Sequence, residues 1–453
     1  MLKIRGLKTK SFRKEKVQLI TLGCSKNLVD SENLITQLQY NDYRVEHNPE
    51  SSRPADIVII NTCGFIDRAK EESIQTILDF AELKRQGELT KLYVTGCLSQ
   101  RYKDQLEEEI PEVDEYFGTM EMPALLNRLQ ADYRQELVGE RMITTPGHYA
   151  YLKISEGCNR TCSFCAIPLM RGKHVSVPVE LLIEQAQKLA ANGVRELILI
   201  AQELTYYGLD LYKKRTLPEL LDKLCDVEGI EWIRLHYAYP SKFPLEIIEV
   251  MKRQPKVCNY LDMPLQHAAD QVLNSMKRQI TREESYELIH EIRQILPEIS
   301  LRTTMLVGYP GETESDFNQL CDFVREIEFD RLGVFEYSHE EGTTAYELED
   351  SVAPELKTDR AARLMQIQEE ISLAKNQQKI GKTYKVLVDR KESDFYVART
   401  EADSPEVDNE VLITSTQYLR VGDFTDVVIT DCTEFDLYAV PVAEAGGISA
   451  NSN

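Results

Sequence analysis

The chain contains no apolar run longer than the five residues from Leu197 to Ala201. A membrane-spanning helix needs about 20, so none is expected. The apolar stretch that must follow the basic start of a secretory signal is also missing. The early cations (Lys3, Arg5, Lys8, Lys10, Arg13, Lys14 and Lys16) therefore read as a flexible tail. Basic residues are scarce overall: 53 Lys and Arg stand against 75 Asp and Glu, a net charge of −22. That deficit disfavours sequence-independent binding to nucleic acid, which requires a basic surface. No internal repeat is visible, which sets aside solenoids and arrays. Cysteine, by contrast, is plentiful. There are ten in 453 residues, and in a chain read as cytoplasmic they are expected as ligands, catalysts or core residues rather than disulfides.

The length is about three domains' worth, and the pattern changes twice along it. From Val17 to about Leu129, β-like runs (Val17–Leu22, Asp56–Asn61, Lys91–Thr95) alternate with helical stretches (Ser31–Tyr40, Asp67–Lys84, Gln100–Glu109). This alternation predicts a doubly wound parallel sheet, with ligands beyond the carboxyl ends of its strands. From Tyr149 to about Tyr346 the alternation continues through six candidate strands: Tyr151–Ser155, Glu196–Ala201, Trp232–His236, Tyr260–Pro264, Leu301–Val307 and Leu332–Glu336. Six β/α units predict a partial or full TIM-like barrel. Leu364, Ile367, Ile371 and Ala374 then keep the spacing of one buried helix face. From Tyr384 to Val440 the period becomes two, predicting a small antiparallel β-barrel or sandwich of OB-like size. The last eleven residues, from Ala443, are small and polar and read as disordered. The expected domains are 16–142, 144–374 and 376–442.

Six of the ten cysteines fall into two patterns. Cys158, Cys162 and Cys165 form C-x-x-x-C-x-x-C directly after a predicted strand. Three thiolates within eight residues can converge on one metal centre. Structural zinc wants four ligands, whereas a 4Fe–4S cluster on three cysteines leaves one iron open; the blander alternative is three unrelated core cysteines. Cys24, Cys63 and Cys97 each follow a strand of the first segment and each has a glycine beside it (Gly23, Gly64, Gly96). Any one alone is most simply a buried-strand cysteine. Three recurrences at equivalent strand ends favour a second three-cysteine cluster. Cys225, Cys258, Cys321 and Cys432 have no partner spacing and read as packing residues.

The C-x-x-x-C-x-x-C motif, with Phe164 before its last cysteine, resembles the radical S-adenosylmethionine enzymes. The three-part layout resembles the methylthiotransferases over roughly residues 16 to 442, with an amino-terminal three-cysteine domain, a radical domain and a carboxyl-terminal TRAM barrel. Four stretches look most like the branch that modifies an aspartate of small-subunit ribosomal protein twelve. They are Leu22-Gly-Cys-Ser-Lys-Asn-Leu-Val-Asp-Ser-Glu, Asp262-Met-Pro-Leu-Gln-His, Ser338-His-Glu-Glu-Gly-Thr and Ala398-Arg-Thr-Glu-Ala-Asp-Ser-Pro-Glu-Val-Asp. The resemblance implies a radical cluster on Cys158, Cys162 and Cys165, and an auxiliary cluster on Cys24, Cys63 and Cys97. It further implies S-adenosylmethionine as cofactor, an external electron donor and no membrane. Replacing an aspartyl β-hydrogen by a methylthio group breaks an unactivated carbon–hydrogen bond. No side-chain base achieves that near neutral pH, so the cofactor supplies the reactivity.

The resemblance makes Phe164, Gln202, Glu203 and Gly308 candidates for binding S-adenosylmethionine. Tyr206-Tyr207 and Arg171-Gly-Lys173-His174 are weaker ones. His236, His267 and Arg302 are equally readable as site or as satisfied core. Local charge bears on the substrate. Between Tyr384 and Val440 there are five basic against thirteen acidic residues, several of the latter clustered in Glu401–Glu410. An acidic barrel disfavours RNA and suits a basic ribosomal protein. Two alternatives stay open: methylthiolation of adenosine in transfer RNA, and a non-catalytic iron–sulfur electron-transfer or metal-storage protein.

Overall fold

The computed structural model describes residues 15–49, 55–137 and 139–445. The basic start through Lys14 and residues 446–453 of the tail lie outside the described residues. The chain forms two compact units, Met1–Met142 and Ile143–Asn453. Among the described residues no helix is long and apolar enough to cross a membrane.

The first unit is a five-stranded parallel sheet of β1 (Lys16–Thr21), β2 (Arg44–His47), β3 (Ile57–Thr62), β4 (Lys91–Gly96) and β5 (Glu115–Tyr116), in the order β2-β1-β3-β4-β5. Period two sends Val17, Leu19, Ile57 and Ile59 to one face, against Leu34, Ile35 and Leu38 of the helix Ser25–Tyr40. Val58, Ile60, Leu92 and Val94 go to the other face, against Ile77, Ala81 and Leu106. Both faces are covered, so the strands read as unbroken apolar runs. The first helix begins at Ser25, six residues before the expected Ser31. Its polar opening turn hides the periodicity, because Lys26 and Asn27 are buried.

In the second unit, six parallel strands stand in the order β13-β12-β11-β10-β9-β6 and leave the barrel open, so it is partial. They are β6 (Tyr149–Lys153), β9 (Glu196–Ile200), β10 (Trp232–Leu235), β11 (Val257–Asp262), β12 (Ser300–Val307) and β13 (Arg331–Glu336). The short β7 (Ser155–Glu156) and β8 (Val175–Ser176) pair antiparallel beside them. Outward residues such as Leu199, Ile233, Leu235 and Leu301 pack on the surrounding helices through Leu182, Leu220, Ile248 and Phe317. The alternate residues face inward and are charged: Glu196, Arg234 and Asp262 are each at most 1% exposed.

The carboxyl-terminal part is a closed barrel, β14-β15-β16-β18-β17, of β14 (Thr383–Glu392), β15 (Phe395–Thr400), β16 (Val411–Ile413), β17 (Phe424–Cys432) and β18 (Leu437–Pro441). One pairing, β16 with β18, is parallel. The helix Pro354–Gln377 leads into it. Ala374 is exposed rather than buried, because the buried stripe drifts to Gln368, Ser372 and Asn376. There Ser372 Oγ donates to Glu434 O (2.6 Å) and Asn376 Nδ2 to Thr433 O (3.0 Å). Val442–Ala445 is a turn of helix, so the predicted disorder does not begin at Ala443.

The connection from β15 to β16, residues 401–410, enters the amino-terminal mouth of the partial barrel. Arg331, the first residue of β13, donates from Nε to Asp403 Oδ1 (2.8 Å). Arg302 Nε reaches Asp408 Oδ1 (3.2 Å), and Tyr260 OH donates to Asp408 Oδ2 (2.8 Å). Arg234 Nη1 donates to Glu401 O (2.6 Å) and His236 Nε2 lies 2.8 Å from Ser404 Oγ. The expected acidic patch at Glu401–Glu410 is corrected in part: Asp403 and Asp408 neutralise arginines of the barrel lumen, while Glu406 stays exposed.

Candidate metal centre

In the first unit, Cys24, Cys63 and Cys97 sit at the carboxyl ends of the adjacent strands β1, β3 and β4. Cys24 precedes the helix Ser25–Tyr40 and is exposed, while Cys63 and Cys97 are buried. Gly23 has φ +86°, and a Cβ there would fall 2.7 Å from Cys63 Cβ. Only glycine lets the first loop approach the second so closely. Gly64 likewise stands against the Cys97–Leu98 peptide, 2.7 Å from Leu98 N for an added Cβ. Asn27 ties these ends together, donating to Leu22 O (2.8 Å) and Thr62 O (3.0 Å), and its Oδ1 lies 3.8 Å from Cys97 Sγ. Ser73 Oγ accepts from Cys63 N and donates to Cys63 O.

In the second unit, Cys158, Cys162 and Cys165 occupy the loop after β7, at the carboxyl side of the partial barrel. Gly157 starts the loop at φ +73°, where an added Cβ would collide with Lys173 O. Ser163 anchors the centre, its N–H donating to Met276 O (3.0 Å) and its Oγ to Ser275 O (2.8 Å). Phe164, half-buried, packs with Met276, Tyr309, Tyr337 and Ala345. Arg160 is clamped between the rings of Tyr206 and Tyr239, at 3.9 and 3.8 Å, and pairs with Glu203 at 3.1 Å. Burial pushes the Cys158 thiol up to about 11 and the Cys165 thiol up to about 12. Both are protonated at neutral pH, and a metal bound to them displaces a proton from each.

The other candidates divide. Glu203, 2% exposed, is occupied by Arg160 and by Thr205 N (2.6 Å). Gln202 Nε2 donates to Glu156 Oε1 (2.8 Å), while its buried Oε1 has no partner among the described residues. Glu156 also receives Lys153 (2.7 Å) and Arg171 (3.4 Å). Gly308 N–H donates to Glu312 Oε2 (2.5 Å), and its turn lies on Lys357. His174 contacts Ser176 and Lys173 is exposed. His267 is buried and stays neutral, burial lowering its pKa to about 3. Arg302 is held by Asp262 (3.1 Å) as well as by Asp408.

Sequence reasoning missed Asn27 and Arg278. Arg278 Nη1 donates to Cys162 Sγ at 3.3 Å, and its buried Nε has no partner among the described residues. No local pattern signals either residue, since Asn27 also reaches Thr62 and Arg278 reaches Cys162, both far along the chain. Among the described residues no three His, Cys, Asp or Glu side chains converge on a single-ion shell. Three thiols beside a buried, unneutralised guanidinium do fit an anionic iron–sulfur cluster, which thiolates ligate.

Comparisons with known proteins agree with this architecture. Residues 16–118 match the model of Uncharacterized protein family UPF0004, residues 152–324 the Radical SAM superfamily, and residues 380–442 the TRAM domain. The ribosomal protein uS12 methylthiotransferase RimO of Christiangramia forsetii is 59% identical over 437 residues, covering 96% of each chain. Those of Cytophaga hutchinsonii and Flavobacterium psychrophilum are each 58% identical, covering 95% and 96% of this chain and 99% and 100% of theirs. Among solved structures, the radical S-adenosylmethionine methyltransferase TsrM of Kitasatospora setae aligns with a TM-score of 0.52 at 14% identity, over 71% of this chain and 73% of its own. That likeness is one of fold. The radical SAM enzymes use S-adenosylmethionine and an iron–sulfur cluster, and both belong to this chain's chemistry. With relatives this similar over nearly its whole length, the chain belongs to the ribosomal protein uS12 methylthiotransferases, transferases of the radical SAM superfamily.

Proposed function

We propose that this protein adds a methylthio group to the β-carbon of an aspartate in small-subunit ribosomal protein twelve (uS12), using two 4Fe–4S clusters and S-adenosylmethionine. The observation that carries the two-cluster reading is that one chain has two cysteine triads, each at the carboxyl side of its own parallel sheet. Cys158, Cys162 and Cys165 hold the radical cluster, and Cys24, Cys63 and Cys97 the auxiliary one. When bound, the radical cluster with S-adenosylmethionine supplies the power to break an unactivated carbon–hydrogen bond, and the auxiliary cluster supplies sulfur. The chain's own residues hold these groups and exclude water. Ser163 and the Arg160–Glu203 pair fix the radical loop. Asn27 and Ser73 fix the auxiliary one. Phe164 packs within the loop's core. Gln202, with its free buried Oε1, is the candidate best placed to meet cofactor directly.

The substrate is a basic protein met in the cytoplasm, and a low-potential one-electron donor completes the system. Asp394, Asp426 and Asp431 of the small barrel remain exposed and favour such a partner over RNA. The test is anaerobic incubation of the reconstituted protein with reductant, S-adenosylmethionine and either uS12 or transfer RNA, followed by mass spectrometry. A methylthio adduct on uS12, from protein carrying about eight irons, is expected. An adduct on transfer RNA alone overturns the substrate, and about four irons overturns the second cluster.

A further inference from the structure

We infer that Arg278 is the built-in counter-charge of the cluster on Cys158, Cys162 and Cys165 and sets its reduction potential. The inference rests on those three cysteines holding that cluster. Arg278 is 4% exposed. Nη1 donates to Cys162 Sγ (3.3 Å), Nη2 donates to Pro264 O, and the buried Nε has no partner among the described residues. The guanidinium lies 4.3 Å over the ring of Tyr239. That tyrosine in turn donates to Arg278 O (2.7 Å) and places its hydroxyl 3.7 Å from the same sulfur.

The missing carboxylate is what distinguishes this arginine. Among the described residues of this unit, the other buried arginines face acids: Arg160 with Glu203, Arg171 with Glu156, Arg234 with Glu196, Arg331 with Asp403, Arg360 with Glu312, and Arg399 with Glu196 and Asp389. Arg278 forms no ion pair with any described carboxylate. A guanidinium cannot shed its proton, and an uncompensated buried charge is strongly unfavourable. The anion that completes this site is the thiolate-ligated cluster. A doubly positive 4Fe–4S core on three thiolates is anionic, and more so after taking up one electron. A fixed cation and N–H donor at a ligand sulfur therefore stabilises the reduced state more and raises the potential.

The test is a redox titration of the anaerobically reconstituted full-length protein, poised with dithionite. It is followed by electron paramagnetic resonance on the reduced-cluster signal that responds to S-adenosylmethionine. At the wild-type midpoint, Arg278→Gln and Arg278→Met are expected to lower the ratio of reduced to oxidised cluster at least tenfold, a shift of about 59 mV for one electron. Arg278→Lys, which keeps the charge and loses the fork, is expected between them and the wild type. Loaded neutral variants with the wild-type potential overturn the inference and leave the cluster assignment standing. Loss of iron from both neutral variants but not from Arg278→Lys supports the counter-charge through occupancy. Loss from all three overturns it in favour of a purely structural role. Wild-type protein with no S-adenosylmethionine-sensitive cluster overturns both this inference and the reading it rests on.

Discussion

Replacing Arg399 by methionine is expected to loosen the small barrel from the partial barrel and to destabilise the second unit as a whole. Arg399 is 2% exposed and spans the two. It donates from Nη2 to Glu196 Oε2 (2.8 Å), from Nε to Asp389 Oδ2 (2.6 Å) and from Nη1 to Asp403 O (3.2 Å). Burial alone would raise the Glu196 carboxyl, but Arg399 and Arg234 hold it below its ordinary value. Removing one partner of a buried pair costs about 3–5 kcal/mol. Here Glu196 keeps Arg234 (2.8 Å) and Asp389 keeps His148 (2.8 Å), so neither acid is stranded. The lower end applies, about 3 kcal/mol, or a fall in melting temperature of roughly 4–5 °C for a unit of this size.

The assay is supplied by the single tryptophan. Trp232 of β10 packs edge-on against Phe424 of β17, ring centroids 4.7 Å apart, so its fluorescence reports the junction. Denaturation is to be followed by that fluorescence and by circular dichroism. The two transitions are expected to coincide in the wild type and to shift together in Arg399→Met. A loss below 0.5 kcal/mol, on the scale of an ordinary surface change, refutes the claim that this network holds the small barrel in place. So does a wild-type fluorescence transition that precedes the dichroism.

His267 makes stability depend on pH in a definite direction. Its folded pKa of about 3 lies below the unfolded value of about 6.5. The unfolded chain therefore binds the extra proton between those values, and stability falls with pH by about 1.4 kcal/mol per unit below 6.5. His267→Gln should flatten melting temperature against pH from 6.5 to 5 by that slope, and an unchanged profile sinks the assignment. Gly23→Ala, whose new methyl would strike Cys63, is expected to lower iron from about eight to about four per chain while the S-adenosylmethionine-sensitive signal persists. Full iron in that variant would disprove the close approach. Asn27→Leu removes the donor to Leu22 O and Thr62 O and strands two buried carbonyls, costing about 2–3 kcal/mol by urea denaturation. A neutral result would mean that the strand ends hold themselves.

The order of strands and helices was legible because apolar periodicity is local. That Cys24, Cys63 and Cys97 follow three strands of one sheet was legible because an apolar run precedes each and a glycine stands beside each thiol. What the sequence hid lies at long range. Asp403 and Asp408 looked like a free acidic stretch, because Arg331 and Arg302 stand 72 and 106 positions away and no window joins them. Glu203 looked available, yet Arg160, 43 residues before it, already occupies the carboxylate. Asn27 sits where a helix was not expected to begin. Its side chain serves the strand-end carbonyls of Leu22 and Thr62.

The loop that fills the mouth of the partial barrel also constrains how the protein is made. A nascent chain emerges amino terminus first, at about 5–20 residues per second, and its domains generally fold as they appear. This barrel cannot finish in that way. All six of its strands have been synthesised by Glu336, yet Arg331 then still lacks Asp403, and Arg234 still lacks the Glu401 carbonyl. Glu196 and Asp262 already face Arg234 and Arg302 by then, but Arg331 is left without its carboxylate until the translating ribosome has released the stretch after β15. Folding of the central barrel is therefore tied to completion of the chain, and a product cut short before residue 401 is a natural target for proteases and chaperones.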